Sequence, residues 1–219
     1  MDNISLNVIY ALDLFGTASF AFSGALRALD RKPDIVGMLL LAAATAIGGS
    51  ILRDTILDRA PVVFIDQGYS LVIVFSVLVT FFFPLSMLRN AHLFQYFDAV
   101  GFGIFSAITA NYAWGIAHYH PISVVLIASL SGCAGGIVRD VIIQKPTIVL
   151  SNELYLTPVV LGVIGLMLVR YFLGFSEIAG FFTALIITIT MRVGAIVNDW
   201  RLPRVFYVHT EEPPEFPSR

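Results

Sequence analysis

The chain has 219 residues, 58% of them hydrophobic and only 13% charged, with a mean hydropathy of +0.85. A typical soluble domain is about half apolar and about a quarter charged, so this is the composition of a membrane protein. Thirteen Lys and Arg against fifteen Asp and Glu give a net charge of −2, which leaves no basic excess to neutralise phosphates and excludes nucleic-acid binding.

Seven apolar stretches approach the roughly 20 residues that a helix needs to cross about 30 Å of hydrocarbon. Within a few residues they are Leu6 to Leu26, Asp34 to Leu57, Tyr69 to Leu88, Leu93 to Ala113, Ile122 to Ile143, Thr157 to Leu173 and Ile178 to Val197. Runs such as Met38 to Ala46 are apolar at every position, whereas barrel strands would alternate. An all-α membrane fold of seven transmembrane helices is therefore predicted. The first stretch follows Met1-Asp2-Asn3 with neither a basic n-region nor a small-residue cleavage pattern, and it reads as a retained span. Short connectors separate the spans, among them Asp30-Arg31-Lys32-Pro33, Arg89-Asn90 and His120-Pro121. They leave residues 1–204 as a single transmembrane domain. Residues 205–219 include Glu211, Glu212, Pro213, Pro214, Glu215 and Pro217, a composition that cannot bury itself, and are expected to form a polar, disordered tail.

Loops rich in Lys and Arg stay cytoplasmic. With the N-terminus outside, the inner side collects Arg27, Arg31, Lys32, Arg89, Arg139, Lys145, Arg192, Arg201, Arg204 and Arg219, and the outer side keeps Arg53, Arg59 and Arg170. The split predicts a multi-pass protein of the cell inner membrane with a cytoplasmic C-terminus. Tyr112, Trp114 and Tyr119 then suit an outer aromatic belt. His118 and His120 lie in a short loop isolated from carboxylates, and no metal site is expected there. Cys133, the single cysteine, has no partner for a disulfide or a thiolate metal site and reads as a small buried apolar residue.

The second span contains Gly49-Ser50-Ile51-Leu52-Arg53-Asp54, preceded by Gly48. The fifth contains Gly135-Gly136-Ile137-Val138-Arg139-Asp140, preceded by Ala134, at an offset of 139 − 53 = 86. Upstream, Asp13-Leu14-Phe15-Gly16 answers Asp98-Ala99-Val100-Gly101 at 98 − 13 = 85, and downstream Arg59-Ala60-Pro61 answers Lys145-Pro146. The chain therefore reads as two repeats of three spans, about 6–88 and 93–173, plus a seventh helix over about 178–197. An odd number of spans per repeat forces the two to insert in opposite directions. Inverted repeats place permeation sites near the midplane, where helices are broken and their ends supply partial charges.

Glycines lower helix propensity by up to about 1 kcal/mol each and permit a break or a close helix approach. A break at Gly48-Gly49 and at Gly135-Gly136 would turn freed backbone groups toward a polar cavity; the plainer reading is a packing notch. A charge at mid-membrane costs about 2.5–3.5 kcal/mol on insertion scales and persists where it faces water or a partner. Arg53 and Arg139 either face a path or snorkel to an interface. Adjacent helical residues point about 100° apart, so Arg53 and Asp54 are not expected to pair. Their candidate partners are the opposite charges of the other repeat, Arg53 with Asp140 and Arg139 with Asp54, or the intramembrane Asp13 and Asp98. Those two aspartates are candidates for the ion path or for structural roles. No His at membrane depth activates Ser19, Ser23, Ser106, Thr17 or Thr109, and no nucleotide-binding glycine loop is present, so neither catalysis nor a cofactor is predicted.

The paired motifs, the seventh helix and the ending Arg192-Val193-Gly194-Ala195-Ile196-Val197-Asn198-Asp199-Trp200-Arg201-Leu202-Pro203 resemble the prokaryotic members of the trimeric intracellular cation channel family over the chain up to about Arg204. The resemblance implies a homotrimer with an hourglass pore in each subunit, lined by kinked second and fifth helices and permeable to K⁺ and Na⁺. Carried over by motif, the pore and gating positions are Gly48, Gly49, Ser50, Arg53, Asp54, Gly135, Gly136, Arg139 and Asp140. The same bacterial proteins are also described as glycine transporters. In that second reading Arg53 or Arg139 holds a substrate carboxylate and an Asp its ammonium. Animal relatives bind a phosphoinositide, for which this chain has no polybasic cluster.

Overall fold

A computed structural model of the chain describes residues 3–83, 92–150 and 154–200, and among these all regular structure is helical. The helices are α1 (Asn3–Ala28), α2 (Ile35–Ile56), α3 (Gln67–Phe82), α4 (Leu93–Gly115), α5 (Pro121–Ile142), α6 (Thr157–Met167) and α7 (Glu177–Asn198). The five longest, α1, α2, α4, α5 and α7, are long and apolar enough to cross a membrane. The predicted third span runs on to Leu88, but the stretch after Phe83 lies outside the described residues, as does the predicted tail. The sixth span departs from expectation at its end: after Met167 the backbone widens into a π-turn over Leu168–Phe172.

Local chemistry sets the boundaries. Asp34 caps α2 by accepting from the Gly37 amide at 2.7 Å, Asp66 caps α3 through Gly68, and Ser176 caps α7 through Ala179. Pro121 occupies the first turn of α5, where its missing N–H costs nothing. Asp58 and Gln144, 86 positions apart, both take left-handed backbone (φ 52° and 55°) just after α2 and α5, so the repeat extends to how its helices stop.

The two repeats cross with opposite directions. Gly16 of α1 lies against Ile104 and Phe105 of α4, Gly101 of α4 lies against Phe20 of α1, and Ser23 near the end of α1 bonds the Phe94 carbonyl at the start of α4. Helices α1 and α4 are thus antiparallel. So are α2 and α5: a Cβ on Gly135 would sit 2.2 Å from the Thr45 carbonyl oxygen, and one on Gly49 would sit 2.8 Å from the Ser131 carbonyl oxygen. Helix backbones in lipid associate by packing and hydrogen bonds rather than by burial from water, and small residues let them approach. Helix α3 packs on α1, whereas α7 packs on both α4 and α6 and is the main neighbour of α6.

The expected break in α2 and α5 is absent. Both helices are α-helical without interruption through Gly48-Gly49 and Gly135-Gly136. The physical reason is the crossing itself, which uses the glycines as notches and leaves their backbone bonds within the helix.

Candidate functional site

Near the end of α2, the Arg53 guanidinium divides its donors between two carboxylates. Nη1 and Nη2 reach Asp13 on α1 at 2.8 and 3.2 Å, and Nε reaches Asp54 at 2.9 Å. Tyr69, in the first turn of α3, donates its hydroxyl to Asp13 Oδ2 at 2.8 Å. The second oxygen of Asp54 accepts from the Val62 amide at 3.1 Å, which ties the connector after α2 to the same cluster. Arg53 is 2% exposed and Asp54 fully buried.

The second repeat rebuilds this cluster 85 or 86 positions later. Arg139 donates from Nη1 to Asp98 at 2.6 Å and from Nε to Asp140 at 2.8 Å. Tyr155 donates to Asp98 Oδ2 at 2.9 Å, and Asp140 accepts from the Ile148 amide at 3.2 Å. Because the repeats are antiparallel, one cluster lies toward the end of the bundle where α1 begins, and the other toward the opposite end. Buried charges are retained where partners and hydrogen bonds satisfy them, and each arginine here has two carboxylates.

The clusters differ in access. Asp13, Arg53 and Tyr69 form part of the wall of a cavity of about 270 Å³, otherwise lined by apolar side chains such as Ile9 and Ile108, by Asn111, and by Arg59 stacked on Tyr112. Asp98 and Arg139 are fully buried. Arg139 Nη1 also donates to Ser23 at 2.6 Å, while its Nη2 meets no acceptor among the described residues. Arg192 of α7 adds a cation above the Tyr155 ring, 4.3 Å from its centroid. The end of the bundle beyond Arg139 is also bridged at its surface: Lys145 pairs with Asp30 at 2.6 Å, and Arg31 donates to the Ile143 carbonyl at 2.6 Å.

Several expectations are corrected by this geometry. Arg53 and Asp54 do pair, as do Arg139 and Asp140, because the arginine stem is long enough to bring Nε to the neighbouring carboxylate while the fork faces elsewhere. The pairings between repeats, Arg53 with Asp140 and Arg139 with Asp54, are not formed, since the antiparallel crossing puts these residues at opposite ends. Neither arginine snorkels within the chain. Gly48, Gly49, Gly135 and Gly136 lie on the helix contacts, and Gly136 also backs onto Asp98 and Tyr155. Ser50 is buried and bonds its own helix at the Ile47 carbonyl, 3.0 Å away. Tyr69, Tyr155 and Arg192 were not among the sequence candidates; the tyrosines stand 86 positions apart, so the same repeat offset would have found them.

A family model described as glycine transporter matches residues 10–84 and 95–171. The UPF0126 membrane protein of Vibrio cholerae is 33% identical over 202 residues, 91% of this chain and 84% of that one. The UPF0126 inner membrane protein YadS of Escherichia coli is 31% identical over 201 residues, 90% and 95% of the two chains. Among solved structures, a prokaryotic TRIC channel in 0.5 M KCl superposes with a TM-score of 0.83 at 26% identity, covering 90% of this chain and 100% of that one. The TRIC trimeric intracellular cation channel orthologue from Rhodobacter sphaeroides superposes at 0.77 with 27% identity, covering 88% and 99%.

Proposed function

Since the chain belongs to the TRIC family, whose family model is described as glycine transporter, and is a multi-pass membrane protein, we propose that it is a cation channel. In this reading it conducts K⁺ and Na⁺ through one pore in each subunit of a homotrimer. One observation carries the proposal: superposition on solved cation channels over nine-tenths of the chain at 26–28% identity. The path runs along the α2–α5 contact, between the cluster around Arg53 and the cluster around Arg139. Met1 lies outside and the C-terminus in the cytoplasm of a cell whose inner membrane holds the protein, as the distribution of Lys and Arg supports.

The arginines are compatible with cation passage because neither presents a bare positive charge. Arg53 is shared by Asp13 and Asp54, and the other cation on the cavity wall, Arg59, is stacked on Tyr112, so carboxylates and cations balance there. The close α2–α5 crossing and the buried cluster around Arg139 describe the non-conducting arrangement, and opening separates the helices at that cluster.

A second reading, secondary transport of glycine or a similar small zwitterion, is favoured by the family description and by the pairing of an arginine with an aspartate on one cavity wall. Single-channel recording on purified protein in planar bilayers with asymmetric KCl separates the two. Unitary steps with a cation-selective reversal potential are expected, whereas saturable glycine flux without steps would establish the transporter instead.

A further inference from the structure

Helix α7 has no counterpart in the two repeats, and it reaches only one of their clusters. Arg192 is fully buried on α7, with its guanidinium carbon 4.3 Å from the centroid of the Tyr155 ring and Nη1 directed to the Leu154 carbonyl at 3.4 Å. The same ring packs on Phe102 of α4, centroids 4.7 Å apart. Tyr155 is thereby clamped between α7 and α4, and its hydroxyl is delivered to Asp98, the carboxylate that also accepts from Arg139. In the other repeat, Tyr69 makes the equivalent bond to Asp13, but its ring meets Tyr10 edge to face, centroids 6.2 Å apart, with no cation above it among the described residues. Asp98 and Arg139 of the cluster with Arg192 are fully buried, and the cluster without it lines a cavity.

We propose that Arg192 is a positioning residue that latches the buried cluster: by holding Tyr155 it keeps Asp98 on Arg139 and the α5 end closed. The inference rests on reading the α2–α5 contact as the pore, and it assigns the closed gate to one end and its control to the seventh helix. The latch is an aromatic contact in a dry interior, where a cation over a ring is held more firmly than at an exposed surface. Among its described contacts Arg192 meets Tyr155 and the Leu154 carbonyl rather than the α2–α5 contact, so its loss alters the closed-to-open balance and leaves the open path unchanged.

The test compares wild type with Arg192→Gln, Arg192→Lys, Tyr155→Phe and the double variant Arg192→Gln/Tyr155→Phe. Two readouts are used: single-channel recording in planar bilayers, and hydrogen exchange of the first turns of α4 and the last turn of α5 in nanodiscs. Arg192→Gln is expected to raise open probability roughly three- to thirtyfold, the equilibrium equivalent of losing such a contact, at unchanged unitary conductance. It is also expected to speed exchange around Asp98 and Arg139 but not around Asp13. Arg192→Lys keeps a cation over the ring and restores most of the wild-type behaviour. Tyr155→Phe, which removes only the hydroxyl, reproduces the Arg192→Gln effect if that variant fails to assemble, and the double variant goes no further than the larger single one. Wild-type open probability and exchange in Arg192→Gln and Tyr155→Phe would overturn the latch, as would a changed unitary conductance at constant open probability. Faster exchange in these variants of a chain that gives no unitary steps would keep the latch and sink the channel.

Discussion

Phe20 and Phe105, equivalent positions of the two repeats, meet edge to face with ring centroids 5.1 Å apart and planes at 71°. Each also covers the glycine that precedes the other's ring by four residues on the facing helix: Phe105 lies over Gly16 and Phe20 over Gly101. A pair of rings in this arrangement adds about 0.5–1.5 kcal/mol beyond its burial. The contact sits where the internal two-fold relation of the bundle brings α1 and α4 together, and it fixes the register from which both arginine clusters are built.

The glycines at the α2–α5 crossing are expected to differ sharply in tolerance. Gly135→Ala places a methyl 2.2 Å from the Thr45 carbonyl oxygen, a backbone atom that cannot swing away. It should cost about 1–3 kcal/mol through overpacking, read as a lowered thermal midpoint of the purified protein. Gly48→Ala meets nothing closer than Val138 Cγ2 at 3.4 Å and should be close to neutral. Equal midpoints for the two variants would mean that the helices do not cross there.

Removing the two arginines should have unequal consequences. Arg139→Ala strands Asp98 and Asp140 without access to water, and breaking a buried ion pair from one side costs about 3–5 kcal/mol. Arg53→Ala strands Asp13 and Asp54 beside a cavity that admits water, so its stability loss is smaller. Its main effect is on conduction, read as unitary current and reversal potential in asymmetric KCl. Currents in Arg53→Ala identical to wild type would remove that cluster from the path.

Two three-span repeats and a seventh helix make seven crossings, which requires the chain to begin and end on opposite faces. Accessibility labelling of single-cysteine variants at Met1 and Arg219, made in a Cys133→Ala background, should find the N-terminus outside and the C-terminus in the cytoplasm. Both labels on one face would leave an even number of crossings and overturn the seven-span topology.

At the capped start of α3, outside the spans, the Tyr10 hydroxyl and the Gly68 amide both donate to Asp66 and hold its carboxyl below the ordinary value. A depressed pKa in the folded chain contributes stability that is present above the unfolded value, about 3.9, and lost as pH falls through the folded value. Asp66→Asn should therefore lie below wild type in thermal midpoint at neutral pH, with the gap closing on the acid side. A gap independent of pH would show that the cap acts without its charge.

Composition alone placed the chain in a membrane, and the 85- to 86-residue offset together with three spans per repeat gave two equivalent, oppositely directed halves, because apolar length and repetition are written along the chain. That offset also carried the equivalence of Arg53 with Arg139 and of Asp13 with Asp98. It says which residues correspond and is silent on which ones touch. Contact depends on the depth and rotation of each helix in the bundle. The tertiary structure therefore decided that each arginine pairs within its own repeat, that the glycines serve a helix crossing rather than a break, and that Tyr69 and Tyr155 complete the clusters. It decided one thing more, that the halves are unequal in practice. Helix α7 lies outside the repeat and packs on α4 and α6, so among the described residues Arg192 stands over Tyr155 while Tyr69 has no such cation, and the cluster around Arg53 lines a cavity while Asp98 and Arg139 are fully buried.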